Sequence, residues 1–257
     1  MDIKILVATH KPYRMPQDKI YLPVHAGKDI SNTELDGVTG DNTGDNISEK
    51  NKNYCELTCL YWAWKNLQAD CVGLCHYRRH FAMQNSGDKW ANIADGAFLG
   101  KKLMHCDAVL PKKRNYFIET TYQQYIHAHN KQDLDKTEEI IAEFYPQYLP
   151  AYKRVMDDTK GHRFNMMIMK KDYFDSYCEW LFDILFKLEA RLDISGYSDY
   201  DKRVFGFVSE RLLDVWVETM EKQQGFKYTE LPVVNMEKQN WLKKGTSFLK
   251  RKFIGKQ

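Results

Sequence analysis

Two arginines stand side by side in His76-Tyr77-Arg78-Arg79, directly after the apolar run Cys71 to Cys75. Guanidinium forks pair bidentately with phosphate oxygens and stay charged at any ordinary pH. The same pattern of an apolar run ending in cations recurs at Thr9-His10-Lys11 and at Pro111-Lys112-Lys113-Arg114. Three basic ends of this kind, gathered into one cleft, call for an anion, and phosphate is the commonest. Other chemistries are less well supplied. The chain has no Gly-x-x-x-x-Gly-Lys-Ser/Thr loop, no Gly-x-Gly-x-x-Gly after its first apolar run and no His-Glu-x-x-His. P-loop kinase, dinucleotide dehydrogenase and common zinc protease readings are therefore disfavoured. The pairs Cys55/Cys59 and Cys71/Cys75 are spaced wider than usual zinc turns, and His76 and His80 have two arginines between them, which oppose a metal. Acids for proton transfer are present at Glu210, Asp199 and Asp201, with His162 as an imidazole alternative.

These residues need elements to position them. Ile3 to Thr9 reads as a buried parallel-type strand, Cys71 to Cys75 as a second, Cys106 to Leu110 as a third stopped by Pro111, and Phe164 to Met169 as another. Residues 27–53, rich in Gly, Asn, Asp, Ser and Thr, read as a long functional loop. A helix is expected to follow with Asn53 as N-cap and Glu56 three residues later. Further helices are expected at about 118–129, 134–145, Tyr173 to Leu192 and 201–221. The Tyr173 helix carries Phe174, Tyr177, Leu181, Ile184 and Leu188 at helical spacing. Strands alternating with helices predict an α/β fold with a mixed, mainly parallel sheet, and ligands then bind at the carboxyl ends of its strands.

With these motifs in place, a resemblance follows. The stretches Asp45-Asn46-Ile47-Ser48, Asn53-Tyr54-Cys55-Glu56, Tyr61-Trp62-Ala63-Trp64-Lys65-Asn66 and Gly73-Leu74-Cys75-His76-Tyr77-Arg78-Arg79 come first in the chain. Leu110-Pro111-Lys112, Asn165-Met166-Met167-Ile168-Met169-Lys170-Lys171, Arg203-Val204-Phe205-Gly206 and Ser209-Glu210-Arg211-Leu212 follow in order. Over nearly all of residues 3–220 the chain resembles a bacterial glycosyltransferase-like family, long catalogued as a domain of unknown function and found in capsule, exopolysaccharide and O-antigen gene clusters. The resemblance implies a GT-A-like, Rossmann-like fold and nucleotide-sugar-dependent transfer, with galactofuranosyl transfer attached to part of the family. It implies donor contacts at Thr9, His10, Lys11, Asn53, Tyr54 and Glu56. Tyr77, Lys112 and Arg203 are added as donor-binding candidates, and His162, Asn165, Asp199 and Asp201 as acceptor-side candidates. Glu210, Arg78, Arg79 and His76 are the catalytic candidates.

GT-A folds normally carry Asp-x-Asp after the central strand to bind a divalent metal. Here that place holds His76-Tyr77-Arg78-Arg79, so transfer without a metal is expected, with manganese or magnesium as the alternative through Asp199 and Asp201. Asp133-Leu134-Asp135 and Asp199-Tyr200-Asp201 both fall at expected helix starts, where acids favour the helix dipole. The expected reaction is hexosyl transfer, galactofuranose or galactose, from a UDP-sugar to a lipid-linked polysaccharide precursor, with inversion. A non-catalytic module that binds an acidic polymer is the rival from another class.

Composition fits that picture. The 257 residues are 43% hydrophobic, 28% charged and 14% aromatic, which excludes a disordered or collagenous chain. No apolar run approaches the roughly 18 residues of a membrane span, so a cytoplasmic chain with six free thiols is expected. A domain over 1–239 is expected, followed by a tail at 240–257. The tail holds Lys243, Lys244, Lys250, Arg251, Lys252 and Lys256 among Trp241, Leu242, Phe248, Leu249, Phe253 and Ile254. Without those six cations the net charge of +3 becomes −3, which argues against nucleic acid as a partner. The tail itself reads as an anchor to an anionic membrane surface, placing the protein on the inner face of the cell membrane.

Overall fold

The apolar stretch at the start of the chain forms β1 (Ile3–Thr9), and its side chains alternate between two cores. In the computed structural model, residues 1–85 and 87–237 are described. β1 lies between β2 (Tyr21–His25) and β4 (Cys71–His76), parallel to both, and β3 (Thr39–Gly40) extends β2. After the turn at Tyr77-Arg78, β5 (Arg79–Phe81) folds back on β4. β6 (Ala108–Pro111) leads to β7 (Arg114–Asn115), which pairs with β8 (Lys160–Gly161) in a separate ribbon. β9 (Met167–Lys170) sits between β4 and β6, antiparallel to both. β10 (Tyr228–Leu231) flanks β6, and β11 (Val233–Asn235) pairs with β5. The main sheet runs β10-β6-β9-β4-β1-β2-β3. Apart from β9 its strands are parallel, so β1, β4 and β6 end on one edge. The mixed, mainly parallel sheet expected from the sequence is the sheet found.

The helices are α1 (Asn51–Tyr54), α2 (Leu57–Asn66), α3 (Gly96–Leu103), α4 (Thr121–Ile126), α5 (Lys131–Phe144), α6 (Leu149–Asp157), α7 (Lys171–Arg191) and α8 (Val204–Gln224). One face of the sheet, through Leu6, Ala8, Val72, Leu74, Met167 and Met169, packs with Leu60 of α2, Leu181 of α7 and Leu212 and Trp216 of α8. The other face, through Ile5, Val7, Cys75 and Ile168, packs with Leu99 and Leu103 of α3. This is the period-two alternation of a sheet covered on both sides. Each fully buried Leu or Ile contributes about 1.5–3 kcal/mol. Trp62 and Trp64 belong to this packing: Trp62 is buried, and the Trp64 ring stacks on Phe182. All six cysteines are free. No helix among the described residues is long and apolar enough to cross a membrane.

Several boundaries differ from the sequence expectation for local reasons. Asn53 is not an N-cap. It lies inside the single turn α1, which is broken from α2 by Cys55 at φ 54°. The strand expected from Phe164 starts only at Met167, because Phe164 and Asn165 both adopt left-handed backbone, at φ 78° and 53°. α6 escaped the sequence reading because Pro146 and Pro150 suggest a loop, yet Pro150 sits in the first turn, where a missing N–H is harmless. The loop before α1 is pinned by Asp41, which is buried and accepts from the Gly27 and Lys28 amides at 2.8 and 3.0 Å and from the Ser48 hydroxyl. The expected anchor at 240–257 lies outside the described residues.

β4 and β9 approach unusually closely at Gly73. A β-carbon there would lie 2.8 Å from both the Met167 carbonyl oxygen and the Ile168 side chain. Gly73→Ala should therefore lower stability by about 1–3 kcal/mol, the ordinary penalty of overpacking. Urea denaturation followed by circular dichroism measures it, and an unchanged midpoint would refute the close-approach argument.

Candidate active site

A cleft of about 700 Å³ opens where β1 and β4 end. Four chain segments build it. β1 delivers Thr9 and His10, and the bend between α1 and α2 delivers Cys55 and Glu56. The β4–β5 turn delivers His76 through Arg79. Phe164 and the start of α8, with Tyr200 before it, deliver the far wall: Arg203, Phe207 and Glu210. Two smaller hollows, about 420 Å³ beside Arg14 and Trp90 and about 460 Å³ beside Lys113 and Asp214, lie away from these strand ends.

The guanidiniums of this cleft rest on aromatic rings. Arg79 lies 4.5 Å from the Phe164 ring centre, Arg78 5.6 Å from Tyr77, and Arg203 5.3 and 5.8 Å from Phe207 and Tyr200. Lys11 adds a fourth cation, 5.2 Å from Tyr77. Arg78 meets one carboxylate, Glu237, at 3.2 Å, in a pair open to water. The Arg79 Nε is buried and has no hydrogen-bond partner. Burial and the neighbouring Arg78 charge pull the Arg79 pKa below the ordinary guanidinium value. Burial, and then Lys11 and Arg78, likewise hold the His10 pKa below the usual imidazole value. In both groups burial acts first, and on top of it comes the positive charge of their neighbours. An anion placed here would relieve that charge.

The acidic wall is held by the left-handed pair. The Phe164 amide donates to Glu210 Oε1 at 3.2 Å, and Arg211 donates to Glu210 Oε2 at 3.0 Å. The Phe164 carbonyl can only accept, so His76 Nε2, 2.6 Å away, carries the proton. Asn165 is buried and donates to Glu56 Oε1 at 2.7 Å and to the Gly206 carbonyl at 3.1 Å, while the Ser209 hydroxyl donates to its amide oxygen. Cys55 is no nucleophile: burial, then the Glu56 charge, push its thiol up to about 11.

The structure gathers Thr9, His10, Glu56, His76, Tyr77, Arg78, Arg79, Arg203 and Glu210 around one cleft. Other sequence candidates go elsewhere. Tyr54 is fully buried, stacked on Phe205 with its hydroxyl donating to Glu189. Asn53 spends its side chain on the Lys202 carbonyl at 2.8 Å. Lys112 is exposed beyond the cleft, and Lys11 borders it only through Tyr77. Asn165 stands behind the cleft as a brace rather than on its surface. His162 is fully buried, with Nδ1 2.5 Å from Asp214 and Nε2 3.2 Å from Glu230. Burial lowers its pKa, but hydrogen bonds to the two carboxylates outweigh that and leave it raised, so His162 is tied into the packing away from the cleft. Asp199 is fully exposed beside Lys202, whereas Asp201 is buried against His129 and the Ser198 hydroxyl, and neither lines the cleft. No group of three or more His, Cys, Asp or Glu among the described residues could hold a metal ion. The donor set after β4 is cationic and does not fit one. Asn51 and Lys52 also line the cleft without having been sequence candidates, and Phe164, Tyr200 and Phe207 are the aromatic cleft residues that motif reading missed. Only their aromatic character, close in sequence to Arg163, Arg203 and Asn165, could have suggested them.

Residues 4–223 match a family model described as a domain of unknown function, DUF4422, and the chain belongs to that family. No curated protein matches it. Among solved structures it is similar to the apo structure of the bifunctional glycosyltransferase WbbM, with a TM-score of 0.85 and 32% identity. That likeness covers 93% of this chain and 46% of the other, so this chain spans under half of that protein's length.

The field in the cleft can be read directly from His10. Adding pyrophosphate at low ionic strength should raise the His10 pKa, because an anion favours the imidazolium. Proton NMR titration of the histidine ring signals measures it, and a His10 pKa indifferent to saturating pyrophosphate would count against an anion in this cleft.

Proposed function

From membership of that family, and from a cleft of arginines at the carboxyl ends of β1 and β4, we propose that the protein is a glycosyltransferase that uses a nucleotide-sugar donor. The observation that carries this reading is Arg79: half-buried, with its Nε shielded and without a hydrogen-bond partner, and set beside Arg78 in the cleft, where a diphosphate leaving group would need neutralising. The likeness to a bifunctional glycosyltransferase supports it, and this chain's length corresponds to one part of that protein. The finer reading is transfer of a hexosyl unit, galactofuranose or galactose, from a UDP-sugar to a lipid-linked saccharide in capsule, exopolysaccharide or O-antigen synthesis. The enzyme would work at the cytoplasmic face of the membrane, held there by residues 240–257.

Each residue then has a physical task. As the bond from the anomeric carbon to the diphosphate breaks, negative charge grows on the departing phosphate oxygen, and Arg78, Arg79 and Arg203 stand ready to neutralise it. Their aromatic platforms fix the forks beforehand, so little reorganisation is needed at the moment of reaction. On the opposite face the acceptor hydroxyl attacks the anomeric carbon and loses its proton to Glu210, giving inversion in a single displacement. Glu210 is suited to this because the Phe164 amide and Arg211 orient both of its oxygens. His76 Nε2 is committed to the Phe164 carbonyl, so His76 orients that wall instead of taking the proton. Asp199 and Asp201 have no place in this scheme.

Arg79→Ala should reduce turnover by about 10²–10³, the range for deleting one transition-state donor, with Arg78→Ala also impaired. Lysine at either place should restore only part, since the fork is lost. Steady-state kinetics with a UDP-sugar measures both, and wild-type turnover in the two alanine variants would end the clamp reading. Turnover should also survive exhaustive dialysis and excess EDTA. Loss of activity that manganese or magnesium restores would reject metal-free transfer.

A further inference from the structure

The Phe164 ring is doing more than filling space. It stands half-buried at the cleft wall in left-handed backbone at φ 78°, a conformation that bulky residues rarely adopt and that glycine adopts freely. Holding a phenylalanine there is unfavourable and persists only where the surroundings impose it. Its main chain does not need a side chain at all: the amide bonds to Glu210 and the carbonyl to His76 would be made equally by glycine. What only the ring supplies is a π face. Two guanidiniums use it, Arg79 from the turn after β4 at 4.5 Å and Arg114 from beyond β6 at 5.4 Å. β9, antiparallel and with its basic end, Lys170, on the opposite edge beside the start of β4, separates those two strands in the sheet. The ring therefore bridges a gap that the sheet leaves between two of its cationic strand ends.

We propose that Phe164 is a positioning residue for anion binding, its ring holding the Arg79 and Arg114 guanidiniums so that two strand ends act on one bound diphosphate. The proposal rests on the cleft being the anion site, and it adds the means by which Arg79, which has no hydrogen bond at Nε, is kept in place. Strain at a single residue is tolerated because its ring orients charge. Cation–π contacts in partly desolvated sites are strong enough to matter for that task.

The test compares Phe164→Gly, Phe164→Leu and Phe164→Tyr in the full chain. The probe is inorganic pyrophosphate, titrated by calorimetry at low ionic strength, with the melting temperature of each variant recorded alongside. Leucine keeps bulk without a π face, and tyrosine keeps both. Binding should weaken about tenfold in the leucine and glycine variants and return to within about twofold of wild type in the tyrosine variant. The melting temperatures should not follow that order, because glycine relieves the strain while losing the ring. Should the glycine variant fail to fold, the leucine–tyrosine comparison decides alone. A leucine variant that binds as tightly as wild type overturns the proposal, as does a folded tyrosine variant that fails to bind, or a wild type that ignores pyrophosphate. UDP is titrated in parallel. A wild type that binds pyrophosphate and not UDP would sink the donor reading, while the same variant comparison still decides the role of Phe164.

Discussion

Repulsion between like charges is the constraint on which this molecule turns. Parallel strands that end on one edge of the sheet bring Lys11, Arg78 and Arg79 together, and α8 adds Arg203 from the other side. Among these, Arg78 has a carboxylate partner in Glu237, in a solvent-exposed pair of the kind worth about 0–1 kcal/mol. Aromatic rings take up part of the remainder, at roughly 0.5–2 kcal/mol for each well-placed contact. That explains where part of the aromatic surplus goes. Burial first, and then the neighbouring cations, hold the pKa values of Arg79 and His10 below their usual ranges.

The wall facing those cations depends on local strain braced by buried polar bonds. Cys55, Phe164 and Asn165 all hold left-handed backbone, and all three adjoin the cleft. Asn165 shows how such strain persists. Its amide group ties Glu56 of the α1–α2 bend to the Gly206 carbonyl and the Ser209 hydroxyl of α8, out of reach of water. Breaking that network would leave buried polar atoms unpaired, which costs about 1–3 kcal/mol for each group. The backbone therefore stays where unfavourable torsions aim Glu210, His76 and the Phe164 ring at one space.

His162, a buried imidazole, illustrates the opposite solution. Its two ring nitrogens meet Asp214 and Glu230, so both are partnered inside the protein. His162 is enclosed by carboxylates, whereas Arg79 lies against the Phe164 ring at the cleft. The imidazole is fully buried after β8, and Arg79 is half-buried at the start of β5 with its Nε unpartnered.

The central strands and the longest helices were legible in the sequence because their signals are local, whereas β2, β10, α3 and α6 were not read there. Ile3 to Thr9 and Cys71 to Cys75 are short apolar runs, and α7 repeats its apolar residues by three and four, so period and length decide the element. The basic strand ends were legible for the same reason: the residue that follows a strand in sequence also sits at its mouth in space. Tertiary structure alone decided the rest. The chain from 162 to 165 reads as ordinary sequence before a strand, yet it turns left-handed, buries His162 and Asn165, and lays Phe164 under Arg79. Asp199 and Asp201 share a motif but not an environment, one exposed and the other buried beside His129. Composition and spacing record which groups a chain possesses. Whether a given charge meets a carboxylate, a ring or an open cleft often depends on residues distant in sequence, as for Arg78 and Glu237 or Arg79 and Phe164, and only the folded packing brings them together.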